Sequence, residues 1–236
     1  MQTSELSPGL VIQNMTTPRQ LSDFKLIAFD MDSTLINIEC IDEVADATGL
    51  KAQVAAITEA TMQGEITDFK ESLRRRVALL KGVLATHLES VYAERLQLNP
   101  GAQNLVAACK KSGMKVLLVS GGFTFFADRV AARLGIDYAK SNQLEVVDGA
   151  LTGRLVDQSW GDICDGEEKR KTLLETCALL GIAPSQAIAM GDGANDLPMM
   201  GAAGLSVAYH AKPKVREQAM VAINSGGLDR LLEVFG

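Results

Sequence analysis

The sequence predicts an α/β protein: a doubly wound, Rossmann-like parallel sheet with a helical domain inserted in it. Short apolar runs stop abruptly at polar or glycine-rich turns, helical stretches alternate with them, and about eighty-five residues separate the first two runs. A βα crossover needs far fewer residues than that. Runs this short fit buried parallel strands, and their alternation with helical patterns decides against helix.

Residues 1–22 are polar, lack the apolar stretch of a secretory leader, and read as an N-terminal extension. The first strand is 25–29, which stops at Asp30. Residues 41–98 read as helix throughout, rich in Ala, Leu and Glu and broken at Gly49, Gly64 and Gly82. Asn99-Pro100-Gly101 marks the exit from that stretch. The α/β core is therefore expected at 23–40 and 99–236, and a helical cap domain at 41–98. A helix at 103–112 ends at Gly113, and the second strand, 116–119, ends at Ser120-Gly121-Gly122. Asp148-Gly149 divides two short strand patterns and predicts a hairpin over 144–153. A helix at 169–180, closed by Gly181, leads to a third strand at 187–190 that ends at Gly191-Asp192-Gly193. Two further strands are expected at 205–208 and 221–223.

Composition narrows the function classes. Of 236 residues, 47% are hydrophobic and 22% charged, the balance of a globular chain large enough to bury its own core. Lys and Arg number 23 against 29 Asp and Glu, a net charge of −6. An acidic chain with 5% aromatic residues is poorly suited to gripping nucleic acid or an anionic membrane. No apolar run is long enough to span a bilayer. The four cysteines show no metal-ligand spacing and read as reduced, packed thiols of a cytoplasmic protein.

Ligands of open parallel sheets bind beyond the carboxyl ends of the strands. Asp30, Ser120 and Asp192 stand at three such ends and would converge if their strands are neighbours. Asp30 and Asp32, two apart, point to one side, and their repulsion makes sense if a cation or a shared proton relieves it. Helix capping or turn formation is the plainer reading of either residue alone. A calcium loop counted from Asp30 fails, because Leu35 stands where glycine is needed and Ile41 where glutamate is. The turn from Gly191 to Asp196 departs from a dinucleotide fingerprint, since Asp196 stands where a small residue should open the helix. Its two aspartates suit a hard divalent cation instead. Ser120-Gly121-Gly122 offers a hydroxyl and backbone N–H groups to an anion, though such a turn is by itself often only a turn.

Taken in order, Asp30-Met-Asp-Ser-Thr, Ser120-Gly-Gly, a lysine at a helix start and Gly191-Asp-Gly-Ala-Asn-Asp196 resemble the haloacid dehalogenase-like phosphotransferase superfamily. The fuller segments 30–43, 72–77, 119–123 and 191–197 are similar to its phosphoserine phosphatase family. The resemblance spans roughly residues 25–230 and leaves no room for the N-terminal regulatory module of some relatives.

That resemblance implies a reaction: hydrolysis of O-phospho-L-serine, the last step of serine biosynthesis, through an aspartyl-phosphate. Another small phosphomonoester is the nearest rival substrate. The resemblance also implies a role for each residue matched. Asp30 is the nucleophile and Asp32 the general acid and base. Mg²⁺ is held by the Asp30 side chain, the Asp32 backbone carbonyl and Asp192, with Asp196 orienting coordinated water. Ser120, the Gly121 N–H and Asn195 cradle the phosphate. Lys169, Arg170 and Lys171 are adjacent, and the family's spacing to Gly181-Ile182 selects Lys169 as the phosphate lysine. Glu39 faces the substrate amine and Arg76 its carboxylate, while Met62 and Phe69 close over it. The bland alternatives are an exposed helix face for Arg74-Arg75-Arg76, core positions for Met62 and Phe69, and a solvated helix start for the lysines. His87 and His210 have no part in this chemistry. A small-molecule substrate is the expected partner; monomer and homodimer both stay open.

Overall fold

The computed structural model describes every residue except 1–2, 14, 16–18, 63–65, 162 and 236. The expected helix break at Gly64 lies outside the described residues. Ten strands and nine α-helices are described: β1 (Thr3–Ser7), β2 (Leu10–Gln13), β3 (Leu26–Phe29), α1 (Cys40–Ala47), α2 (Lys51–Met62), α3 (Phe69–Leu79) and α4 (Thr86–Glu94) come first. They are followed by α5 (Ala102–Lys111), β4 (Lys115–Phe123), α6 (Thr124–Leu134), β5 (Tyr138–Asn142), β6 (Leu144–Val147) and β7 (Ala150–Leu155). The chain closes with α7 (Gly166–Leu180), β8 (Ala187–Gly191), α8 (Leu197–Ala202), β9 (Leu205–Tyr209), α9 (Pro213–Gln218) and β10 (Val221–Ile223).

The main sheet runs β1-β2-β10-β9-β8-β3-β4-β5. From β10 to β5 every pairing is parallel. Successive β3 residues face opposite layers: Ile27 and Phe29 enter one core cluster with α5 and α6, Leu26 and Ala28 the other with α7, α8 and α9. Burial on both faces is why these strands are apolar throughout rather than alternating. The four cysteines are free and buried. Among the described residues, no helix is long and apolar enough to cross a membrane.

The structure departs from the sequence reading in four places. β4 does not stop at Val119 but carries Ser120, Gly121 and Gly122 within it. Its ladder with β5 breaks after Val119↔Lys140 and resumes at Phe123↔Asn142, so the phosphate-type turn is an interruption in a continuing strand. α7 starts at Gly166, before Lys169, because the Asp165 carboxylate caps it by accepting the Glu168 N–H at 2.9 Å. β5 carried no strand signal and forms one edge of the sheet. β1 and β2, inside the expected N-terminal extension, add two antiparallel strands beside β10.

Four helices, α1 to α4, lie between β3 and β4. The β6–β7 hairpin turns at Asp148 and Gly149, both at positive φ, as Asp-Gly predicted. It bonds to the α3–α4 connection through Gly82 N–H to the Leu151 carbonyl and Ala85 N–H to the Gly149 carbonyl, each at 2.8 Å.

Candidate active site

The neighbours β8, β3 and β4 bring Asp192, Asp30 and Ser120 together at the carboxyl ends of the strands. Asp30 follows Phe29 in extended backbone, its N–H still donating to the Met190 carbonyl at 3.0 Å. A wide turn, Met31–Leu35, comes next, with Ser33 at φ 56°. That conformation is costly for a residue with a Cβ, and two bonds hold it. The Ser33 N–H donates to the Ile38 carbonyl at 3.2 Å, and its hydroxyl to Glu39 Oε1 at 2.7 Å. The turn swings Asp32 so that its Oδ2 accepts the Cys40 N–H, at the start of α1, at 3.0 Å.

Lys169 reaches the centre from α7. Its Nζ is fully buried and donates to Asp30 Oδ1 at 2.6 Å and Asp196 Oδ1 at 2.7 Å. Burial opposes the ammonium charge, but Asp196 and Asp30 outweigh it and hold the Lys169 pKa above the ordinary lysine value. Lys171 is half exposed and pairs with Glu168 and Glu175 on the helix surface. The structure thus separates two lysines that sequence left adjacent.

Asp30, Asp192 and Asp196 place carboxylate oxygens within 4.8 Å of one another. Asp196 is spent on protein: Oδ1 takes Lys169, and Oδ2 accepts the N–H groups of Asp192 at 3.2 Å and Gly193 at 3.1 Å. Gly191 permits this, since a Cβ there would lie 2.3 Å from Asp196 Oδ2. Asp192 Oδ1 accepts the Thr34 hydroxyl at 3.3 Å. Burial, then Asp196 and Glu39, pushes the Asp192 pKa up to about 7. Burial and Asp196 likewise raise that of Asp30, against Lys169. The carboxylates of Asp30 and Asp192, crowded by that of Asp196 and facing one ammonium, form a hard-oxygen donor set that calls for a cation, so the residues present fit a metal ion. The Asp32 carboxylate is not in this set; the sequence reading gave the metal only its backbone carbonyl. Burial, then Glu39, lifts the Asp32 pKa to about 7.

Ser120 is buried, and its Oγ accepts the Gly122 N–H at 2.9 Å. Gly121 is pressed between two elements: a Cβ would lie 3.2 Å from the Phe69 ring and 3.4 Å from the Cys164 carbonyl. A cavity of about 380 Å³ opens over these strand ends, lined by Asp30, Asp32, Ser120, Gly121, Asp192 and Asn195, by Phe69 and Arg76 of α3, and by Glu39 just before α1. Arg76 is half-buried, whereas Arg74 and Arg75 are exposed. Burial lowers the Arg76 pKa, against the charges of Asp42, Glu39 and Asp32. Glu39 is exposed at the mouth, yet its carboxylate is desolvated enough to raise its pKa, against the Ser33 hydroxyl bond. Met62 ends α2, and its side chain lies outside the described residues.

Three residues escaped the sequence reading. Asn142 is fully buried, donating to the Gly121 carbonyl at 2.7 Å and accepting the Cys164 N–H at 2.8 Å. It locks the bulged turn to the segment entering α7, and no local pattern announces it. Thr34 supports Asp192, and its signal was the Asp-Ser-Thr run itself. Asp42 also lines the cavity, three residues after Glu39 and so on the same side of α1.

A family model described as haloacid dehalogenase-like hydrolase matches residues 27–201. A phosphoserine phosphatase of Polaromonas sp. (strain JS666 / ATCC BAA-500) is 75% identical over 234 residues, 99% of each chain. That of Albidiferax ferrireducens is 72% identical over 235 residues, 100% of this chain and 99% of the other. Among solved structures, a phospho-aspartyl intermediate analogue of phosphoserine phosphatase superposes with a TM-score of 0.82 at 38% identity, covering 90% of this chain and 99% of the other. A substrate-bound phosphoserine phosphatase complex superposes equally well, at 0.82 and 37% identity, over 90% and 99%. At these identities over nearly the whole chain, and with the family model matching residues 27–201, the chain belongs to the haloacid dehalogenase-like hydrolases, within their phosphoserine phosphatase family.

Proposed function

We propose that the protein hydrolyses O-phospho-L-serine to L-serine and phosphate, with Mg²⁺ as its cofactor. The observation that carries this reading is one cavity lined both by Asp30, whose carboxylate Lys169 holds, and by Glu39 and Arg76. Segment 41–98 acts as the cap that chooses the substrate.

Asp30 attacks phosphorus; the ester P–O bond breaks, and an aspartyl-phosphate forms on Asp30. Asp32 gives its proton to the departing serine oxygen. A carboxyl poised near pH 7 is suited to that transfer and to the reverse one, in which Asp32 takes a proton from the attacking water. Water then displaces phosphate and restores Asp30. Lys169 holds Asp30 in place and offsets charge beneath the phosphoryl group. Ser120, the Gly121 N–H and Asn195 bind the phosphoryl oxygens. The Asp30 and Asp192 carboxylates and the Asp32 backbone carbonyl would hold Mg²⁺, which when bound would supply positive charge to those oxygens. Asp196 keeps Lys169 and the 191–193 turn in position. The Arg76 guanidinium takes the substrate carboxylate, and Glu39 the ammonium. Phe69 walls the cavity beside Gly121, and Met62 is proposed to close over the substrate with it.

Phosphate release from O-phospho-L-serine, compared with a panel of other phosphomonoesters in the presence of Mg²⁺, tests the reading. Phosphoserine should give the highest kcat/KM; a different ester turned over more efficiently would replace it as the substrate.

A further inference from the structure

Among the described residues, three buried side-chain polar atoms lack a hydrogen-bond partner: Asp32 Oδ1, Asp42 Oδ1 and Arg76 Nε. Native proteins leave few such atoms, because each forfeits its hydration without replacement. Asp32 belongs to the reaction centre. The other two are one acceptor and one donor, they carry opposite charge, and their residues line the same cavity.

Both atoms are buried, so a ligand in the cavity does not reach them directly. Asp42 Oδ1 is therefore poorly placed to bind the substrate ammonium, a task left to the Glu39 carboxylate at the mouth. Arg76 Nε is likewise closed off, which leaves the terminal nitrogens of the guanidinium for an incoming carboxylate. Each of these two atoms offers the kind of partner the other lacks. Asp42 exerts the strongest attraction on the Arg76 charge, and Arg76 is the cation acting most strongly on Asp42.

We propose that Asp42 is a positioning residue for Arg76: its Oδ1 takes the Arg76 Nε–H when the amino-acid end of the substrate is bound, aiming the terminal nitrogens at the substrate carboxylate. A guanidinium held at Nε has its fork pointed in one direction, so a ligand loses less freedom in engaging it. The two carboxylates at the start of α1 then have separate duties. Glu39 meets the substrate amine, and Asp42 sets the angle of the arginine across the cavity. The inference rests on the reading that Arg76 binds the substrate carboxylate.

The test uses Asp42→Asn and Arg76→Ala, singly and together, with O-phospho-L-serine and p-nitrophenyl phosphate, which has no carboxylate. Thermal unfolding of each variant checks the fold. Asp42→Asn should raise KM for phosphoserine about ten-fold with kcat within about two-fold, and the loss on the aryl ester should be several-fold smaller. In the Arg76→Ala background the same change should add less than about two-fold, since the group it positions is gone. Asp42→Glu, which keeps the charge, should recover part of the loss, and it carries the same comparison if the amide variant does not fold. Losses that multiply in the double variant, or fall equally on both substrates, overturn the proposal. If Arg76→Ala is selective for phosphoserine and Asp42→Asn is not, only the role of Asp42 falls. Equal losses on both substrates for Arg76→Ala would remove the underlying reading as well.

Discussion

Lys169 bonds to the buried carboxylates of Asp30 and Asp196 together, so its removal strands two charges. Breaking a buried ion pair from one side costs about 3–5 kcal/mol, more than the pair contributes as a whole. Lys169→Met should therefore lower the free energy of unfolding by about that amount in urea titration near neutral pH. An unchanged midpoint and slope would mean that the carboxylates find other relief. Asp30→Asn probes the neighbouring atom differently. The amide is nearly isosteric, so circular dichroism should be unaltered, while phosphate release should fall below about one per cent because an amide is no phosphoryl acceptor. Turnover near the parent level, with contamination excluded, would remove Asp30 from the nucleophile's role. At this scale sequence motifs named residue types and order well. Residue type alone could not choose between Lys169 and Lys171, because that choice depends on where α7 starts and which way its first turn faces.

Elements were legible in proportion to their burial. β3, β8, β9 and β10, buried along their whole length, read as short apolar runs. β5, with the sequence Tyr-Ala-Lys-Ser-Asn, is an edge strand and has no such run. β1 is largely exposed and polar, so composition placed it outside the fold. β2 contradicts that placement with Leu10 at 0% and Ile12 at 5% exposure, packed into the core beside β10. Leu10→Ala should accordingly destabilise the protein by about 2–5 kcal/mol, the usual range for emptying a buried leucine site. A change under about 0.5 kcal/mol in chemical denaturation, typical of surface positions, would show the β1–β2 hairpin to be dispensable.

For the molecule as a whole, the acidic cluster links metal, pH and stability. Asp192 has its pKa raised from an ordinary 3.8 to about 7, so the folded protein keeps a proton that the unfolded chain has already released between those values. Such a group favours the folded state at low pH, and its contribution is lost as pH rises through about 7. A metal ion needs the ionised carboxylate and competes with that proton. The rise in Tm on adding the proposed Mg²⁺ to chelated protein should thus be larger at about pH 8 than at about pH 5.5. Equal shifts at the two values would uncouple the cluster from the metal. Chelation should also abolish phosphate release, and added Mg²⁺ should restore it; full turnover after exhaustive chelation would exclude a metal from the reaction.

The amino-acid sequence by itself determined the α/β class, the strand ends that bear Asp30, Ser120 and Asp192, the hairpin at Asp148-Gly149 and the family. These are properties of local pattern: apolar runs, turn residues and motif spacing survive without knowledge of what packs on what. Only the tertiary structure decided that β8, β3 and β4 are neighbours, that Lys169 bridges Asp30 and Asp196, and that Asn142 pins Gly121 from an edge strand. It also decided that Asp42 and Arg76 share a cavity with an unpaired atom each. Each of these depends on groups far apart in the chain meeting at low exposure, where charge and hydrogen bonding act most strongly and where sequence distance carries no information.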